Sequence, residues 1–272
     1  LILVTGTTGR LGRAILNHLT ERGASVVGSS RSGAGGTRAI DFDRPETISL
    51  DGIDTLVLVS AGEAEDDVVI ARHEAVIAAA ERAGVTHIVY TSLAGEGDHL
   101  AFALAHRWTE RRLGQGAIPW TILRNGLYAD LFGSLLQWSG PELTSAFGDG
   151  ALSAVTREDL AEAAAVVAEQ VESASAAAHT GRVYELVGTP ITAHEVAARV
   201  GAPLVEISLE DRRRQLNAAG LKPFQPAMLM SIHTAVAHGF LAGTSPDLAT
   251  LLGRPPRDAL EAAADAARAS AP

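Results

Sequence analysis

The chain contains no cysteine among its 272 residues. That excludes disulfides, thiolate nucleophiles and Cys-ligated zinc or iron–sulfur sites. Lysine is nearly absent as well: Lys222 stands alone among the 22 basic residues, the rest being arginine, and with frequent alanine this is the bias of a GC-rich genome. Acids outnumber bases 32 to 22 for a formal net charge of -10, which leaves no broad basic surface to neutralise phosphates, so no nucleic-acid partner is expected. No apolar run approaches the roughly 20 residues that span a bilayer, and no basic segment precedes an apolar one near residue 1. We therefore expect a soluble, cytoplasmic protein without a membrane partner. The nine histidines form no H-E-x-x-H or H-x-H spacing, and His233 and His238 fall off the helical i,i+4 register, so no metal site is expected. A G-x-S-x-G turn and a P-loop are both missing, which removes serine hydrolases and nucleoside triphosphatases from the candidates.

What is present is ample material for a core. Hydrophobic residues make up 47% and charged ones 20%, and the mean hydropathy is +0.15, the composition of a folded chain with one domain and a lobe or two modest domains. Leu1 to Thr5 reads as a strand, Arg10 to Glu21 as an amphipathic helix ended by Gly23, and Ser25 to Gly28 as a second strand. Strands follow at Asp54 to Ser60, His87 to Thr91, Trp120 to Leu123 and Arg182 to Gly188. Helices are expected at about Glu65 to Ala83, Leu100 to Leu113 and Arg157 to Glu172. Alternating strands and helices imply a Rossmann-type α/β fold, a doubly wound parallel sheet of six or seven strands. Residues 126–150 read as loop-rich, and after Ile191 prolines limit the chain to short helices, with a surface helix over Ala259 to Ala271. We accordingly assign 1–130 with 151–190 to a dinucleotide-binding domain, and 131–150 with 191–272 to a small, mostly helical substrate lobe.

Between the first strand and helix stands Gly6-Thr7-Thr8-Gly9-Arg10-Leu11-Gly12. One glycine permits the tight turn, the next lets backbone approach a pyrophosphate, and the third lets helix and strand pack closely, while the helix N-terminus favours the anion. An ordinary strand–turn–helix junction is the alternative. The position of the motif favours dinucleotide binding, with Gly6, Thr8, Gly9, Arg10, Leu11 and Gly12 as candidate contacts. The second strand ends in Ser30 and Arg31, where an NAD-selective protein places an acid. Arg31, helped by Ser30, Ser32 or Arg10, suits a 2′-phosphate, so NADPH is expected over NADH; the alternative is a solvated loop arginine. Asp41-Phe42-Asp43 follows the next short strand, and Asp41 either accepts from the adenine amino group or caps the turn before Pro45. Ser60-Ala61-Gly62 ends the fourth, with small residues that leave room for cofactor backbone and ribose.

Six stretches carry a resemblance: VTGTTGRLG at 4–12, HIVYTSL at 87–93, AHRWTERRL at 105–113, IPWTILRNGLYAD at 118–130, SAVTREDLAEAAA at 153–165 and GRVYELVG at 181–188. Together they are similar to the atypical short-chain dehydrogenase/reductase superfamily in its NmrA-like branch, and within it to the NADPH-dependent reductases of quinones and triphenylmethane dyes. The glycine turn is shared by the whole superfamily. The LRNGLY segment with the upstream His106-x-x-x-Glu110 is the more specific feature.

The chain departs from the superfamily's Tyr-x-x-x-Lys pair, in which lysine lowers the tyrosine pKa and tyrosine protonates the product oxygen. Phe102 and His106 occupy that spacing, while Thr91 and Ser92 lie in the superfamily's serine region. Alcohol–ketone interconversion is thereby disfavoured. Reduction of a quinone makes a phenolate, whose conjugate acid titrates near 10, so water or His106 suffices as proton source. The resemblance thus implies NADPH-dependent hydride transfer to a quinone or related electrophilic aromatic, with His106, Ser92 and Tyr128 as catalytic candidates and Thr91 and Asn125 beside the cofactor. His106 also reads as a helix-surface residue stacked near Trp108, and Arg124 as a buried charge paired with Glu110 or Asp130. Phe147, Phe224 and Met228 line an apolar pocket or belong to the core, and Arg212-Arg213-Arg214 is read as a solvated, partly paired helix face. Two rival readings remain: a non-catalytic NAD(P)-binding redox sensor acting through a protein partner, and a biosynthetic reductase or isomerase of one polyketide-like aromatic.

Overall fold

The structure, a computed structural model, describes residues 1–61, 64–95, 99–173 and 176–271. The chain opens with β1 (Ile2–Val4), α1 (Arg10–Glu21), β2 (Val26–Ser30) and the short β3 (Arg38–Ala39). It continues through β4 (Thr55–Val59), α2 (Asp66–Ala83), β5 (His87–Leu93), α3 (Ala103–Gln115) and β6 (Trp120–Asn125). Next come α4 (Ala129–Leu135), β7 (Gln137–Ser139), β8 (Glu142–Ser145), β9 (Ala151–Ser153), α5 (Arg157–Val171), α6 (Ala176–His179) and β10 (Arg182–Leu186). The last part holds β11 (Pro190–Thr192), α7 (Ala193–Val200), β12 (Leu204–Glu206), α8 (Leu209–Ala218), α9 (Gln225–Ala237), α10 (Asp247–Leu252) and α11 (Ala259–Ala269).

Seven of these strands form one parallel sheet in the order β10-β6-β5-β4-β1-β2-β3. This is the doubly wound Rossmann-type sheet that the alternation implied. Its strands read as continuous apolar runs because both faces are covered: all seven residues of β5 are buried. Side chains alternate between the two faces. Val57, Val89 and Leu123 pack with Ile15 and Leu19 of α1 and Leu160 and Val167 of α5, whereas Leu56, Leu58, Ile88 and Tyr90 pack with Val76 and Ile77 of α2 and Leu113 of α3. The strand order reverses between β1 and β4, so their connections leave in opposite directions and open a crevice at the carboxyl edge.

A third core, built on Phe132, Leu136, Phe147, Val196, Ile232 and Val236, packs the C-terminal part of the chain together with Leu93, Leu100 and Ala103. Here the structure departs from the sequence pattern. Residues 126–150 carry α4 and the strands β7 and β8, β9 follows directly, and two small sheets, β12-β8-β7 and β11-β9, stand beside the main one. These strands have only three or four residues, too few to display a period of two. β8 moreover finds its parallel partner β12 some sixty residues later, register Leu143 with Leu204. The expected solvated face at 212–214 is also corrected. Arg214 does pair with Glu210 at 2.8 Å, but Arg212 is fully buried, on one side of α8 with Leu216. Consecutive helical residues point 100° apart, so a run of three arginines cannot share one face.

The lobe is fastened to the sheet through Asp159 in the first turn of α5. Its buried carboxylate accepts from Arg254 at 2.8 Å, from the Arg257 backbone N–H at 2.6 Å and from the Arg257 guanidinium. Burial works to raise its pKa, and these bonds outweigh that and hold it below the usual carboxylate range. Among the described residues no helix is long and apolar enough to cross a membrane, and no cluster of His, Cys, Asp or Glu is arranged to hold a metal ion.

Candidate active site

Two cavities open at the carboxyl edge of the sheet. The larger, about 810 Å³, is lined by the glycine turn, the ends of β2 and β4, residues 40–43, and the side chains Arg72, Tyr128, Arg157 and Lys222. The smaller, about 330 Å³, is mainly apolar and lies between the ends of β5 and β6, the residue Val187 after β10, and Phe240 and Leu241 of the lobe. The segment leaving β6 separates them: Leu127 lines the smaller cavity and Tyr128 the larger.

The glycine turn is shaped by backbone necessity. Gly6 has φ +63°, a left-handed conformation that only glycine adopts without cost. A Cβ on Gly12 would stand 2.5 Å from the Gly6 carbonyl oxygen and 2.8 Å from that of Thr5, so α1 can begin hard against the exit of β1 only because residue 12 has none. Thr7 faces inward and donates to the Ser29 carbonyl at 2.8 Å. Gly9, the N-cap of α1, supplies no side-chain cap, which leaves the first-turn amides for an anion.

The exit of β4 is held by three successive bonds. The backbone N–H groups of Val59, Ser60 and Ala61 donate to Thr5 Oγ1 at 2.8 Å, Thr91 Oγ1 at 3.0 Å and His73 Nε2 at 2.9 Å. All three acceptors are buried, so a segment whose own side chains are small is fixed from beneath. Gly62, expected to continue it, lies outside the described residues. At the end of β2, Ser30 Oγ accepts the Gly33 N–H at 3.0 Å and bonds Thr37 Oγ1 at 2.7 Å. Arg31 is exposed at the groove, with no acid at that strand end. Asp41 accepts the Asp43 N–H at 3.1 Å, next to half-buried Phe42. Asp43 is gripped by Arg72 at 2.6 and 2.9 Å, and the Arg72 bond holds its carboxyl below the usual range.

At the other end, the Arg157 guanidinium lies 3.8 Å from the centroid of the Tyr128 ring. Asp130 accepts from both Arg157 and Arg10, the latter at 2.8 Å. Burial raises the Tyr128 phenol above its ordinary value, against the opposing Arg157 charge, so the hydroxyl stays a donor throughout the neutral range. Asn125, at the end of β6, is 6% exposed and its buried Oδ1 has no partner.

The remaining candidates are engaged elsewhere. Ser92 donates to Glu110 at 2.6 Å, within a cluster where Arg124 bonds Glu110 at 2.8 and 3.0 Å and Glu185 at 2.9 Å. His106 Nδ1 meets the Tyr90 hydroxyl at 2.9 Å. Burial lowers its pKa to about 4, which keeps the ring neutral. Neither side chain is among those lining the two cavities. Phe147 is fully buried and stacks on Phe132 and His233, and Phe224 and Met228 line neither cavity.

Sequence reasoning missed Thr5, Arg72, His73, Arg157 and Lys222. Arg157 stood in a quoted stretch, directly after the helix-capping Thr156, and was legible in principle. His73 and Lys222 reach the site from elements far along the chain, and nothing local marks them. Five basic side chains, Arg10, Arg31, Arg72, Arg157 and Lys222, line the larger groove against two acids, Asp41 and Asp43, in a protein that is acidic overall. A long cationic groove that runs past an uncapped helix start, with no acid at the β2 end, fits a phosphorylated dinucleotide.

A doubly wound sheet whose switch point carries such a groove defines a nucleotide-cofactor protein. The family described as NAD(P)H-binding matches residues 6–171. The chain belongs to this family, in the NmrA-like branch of the atypical short-chain dehydrogenases/reductases, where its named relatives include NAD(P)H-dependent oxidoreductases. Quinone oxidoreductase 2 of Escherichia coli K12 is 31% identical over 278 residues, covering 94% of each chain. The Citrobacter sp. triphenylmethane reductase, solved with NADP(H), superposes with a TM-score of 0.83 at 27% identity over 98% of this chain and 100% of that one. An E. coli NADPH-dependent quinone oxidoreductase solved with NADPH gives a TM-score of 0.83 at 30% identity, covering 97% and 99%.

Proposed function

We propose that the protein catalyses NADPH-dependent two-electron reduction of a quinone or a similarly electrophilic aromatic. The observation that carries this reading is the groove's charge: five basic side chains, with Arg31 in place of the acid that would select NAD. The start of α1 and the glycine turn, from Gly6 and Thr8 to Gly12, hold the diphosphate; Arg31 holds the 2′-phosphate; Asp41 and Phe42 border the adenine. Ser60, Ala61 and Asn125 receive the nicotinamide end, with Thr91 fixing Ser60 from below. NADPH supplies the hydride.

The acceptor occupies the smaller apolar cavity, between the Rossmann half (1–130 with 151–190) and the lobe (131–150 with 191–272). Leu93, Leu127 and Phe240 line it with apolar side chains, so the protein's work is alignment. A quinone takes up the hydride and one proton and leaves as a hydroquinone. Its weakly basic phenolate oxygen needs no strong acid, and Tyr128, kept protonated by burial, donates a hydrogen bond from beside that cavity. Ser92 and His106 act by holding α3 against β5, out of reach of the acceptor.

The test is NADPH consumption by purified protein over a panel of quinones, repeated with Leu127→Trp. Saturable turnover is expected, with the variant raising the acceptor KM and leaving the NADPH Kd unchanged. Tight NADPH binding without turnover on any acceptor would overturn the reading in favour of a redox sensor.

A further inference from the structure

Among the described residues, Lys222 is the one member of the C-terminal lobe that lines the cofactor groove. Every other lining side chain, Tyr128 and Arg157 included, comes from the Rossmann half. It sits in the connection between α8 and α9, and the backbone there is fixed by reciprocal bonds. The Lys222 N–H donates to Gln225 Oε1 at 2.9 Å, and the Gln225 N–H donates to the Lys222 carbonyl at 3.0 Å. Pro223 removes a further backbone torsion directly after it. The side chain itself is exposed, an ammonium on a flexible four-carbon stem that can follow a phosphate as a point charge. Both acids lining the groove, Asp41 and Asp43, belong to the Rossmann half.

We propose that Lys222 binds a phosphoryl group of the dinucleotide, so that the cofactor itself ties the lobe to the Rossmann half. The inference rests on the dinucleotide reading above. It adds an order of events: the lobe that walls the acceptor cavity, through Phe240 and Leu241, is drawn in once the cofactor is bound.

The test is titration of wild type, Lys222→Met and Lys222→Arg with NADPH, NADH and 2′,5′-ADP at low and high salt, with hydrogen exchange read over residues 216–228. A charge-assisted bond to phosphate is worth about tenfold in Kd. Lys222→Met is therefore expected to bind NADPH about that much more weakly, with a smaller salt dependence, and Lys222→Arg to recover most of the loss. NADPH is expected to slow exchange in the α8–α9 connection of wild type and not of Lys222→Met. Equal weakening towards NADPH and NADH assigns the contact to the diphosphate; weakening confined to NADPH and 2′,5′-ADP assigns it to the 2′-phosphate. Unchanged NADPH affinity in Lys222→Met, or an arginine variant as weak as the methionine one, overturns the proposal. A wild type that binds neither dinucleotide instead overturns the dinucleotide reading on which it rests.

Discussion

The backbone N–H of Ala61 donates to Nε2 of His73 at 2.9 Å. Because that nitrogen accepts, the ring proton is on Nδ1, which donates to Thr109 Oγ1 at 2.8 Å; Thr109 in turn donates to the Ala105 carbonyl at 2.8 Å. A relay through α2 and α3 thus fixes the end of β4, where the groove begins. Burial, with smaller contributions from His106 and Arg72, lowers the His73 pKa to about 3, so the acceptor nitrogen remains bare at all ordinary pH.

His73→Phe keeps the packing volume and leaves the Ala61 N–H without its partner. A part-buried orphan donor costs about 1–3 kcal/mol, so urea unfolding should show a loss of that size. The NADPH Kd should rise several-fold as the β4 exit loosens. An unchanged Kd would mean that this strut does not shape the cofactor groove.

Four histidines whose pKa burial lowers strongly couple folding to acid. Burial is the leading cause in each, placing His73 and His233 at about 3 and His87 and His106 at about 4. The unfolded value is about 6.5, so the folded values are depressed and the unfolded chain takes up protons first. Their stabilisation is complete above pH of about 6.5 and falls as pH drops towards 4, by up to about 5 kcal/mol per pH unit when all four contribute. The urea midpoint should therefore fall steeply between pH of about 6.5 and 5, before most carboxylates titrate. A flat profile over that window would refute the assignment.

Gly12→Ala inserts a Cβ 2.5 Å from a backbone oxygen, which α1 can accommodate only by moving away from β1. The expected cost is about 1–3 kcal/mol of stability, with NADPH affinity reduced at least about tenfold as the helix start leaves its place. Calorimetric titration and thermal unfolding read both. Retained affinity would show that the helix start does not cradle the diphosphate.

Arg212 is fully buried, and its one hydrogen-bonding group is Nη2, which donates to the Thr144 carbonyl at 3.2 Å; Nε and Nη1 have no partner. Burial is the cause lowering its pKa, and no ion pair to a carboxylate offsets it among the described residues. Replacing such a buried charge with an apolar side chain of similar size is stabilising by about 1–4 kcal/mol. Arg212→Met should accordingly raise the unfolding midpoint, and a lowered midpoint would contradict the burial.

The Rossmann half was legible in the sequence because its central strands β4 and β5 are apolar runs buried on both faces and its turn carries glycines at fixed spacing. Arg124 illustrates a local inference that held: its pairing with Glu110 follows from neighbouring positions on β6 and α3. The lobe was less legible. Strands such as Glu142–Ser145 are short and pair with chain far away, and Arg212 is buried by the helix's rotation although its neighbours are exposed. The groove was half legible. Gly6 to Gly12, Arg31 and Asp41 sit at sequence-marked places, whereas His73 acts from beneath a strand end and Lys222 arrives from another lobe. Both are products of tertiary packing, which leaves no spacing to read.

The central claim is tested most directly by the ratio of kcat/KM for NADPH and NADH in steady-state reduction of one simple quinone by the wild-type protein. The account predicts saturable turnover with at least about a tenfold preference for NADPH, the size expected when Arg31 alone engages the 2′-phosphate. Equal use of the two cofactors, a preference for NADH, or NADPH binding with no quinone reduced would contradict it.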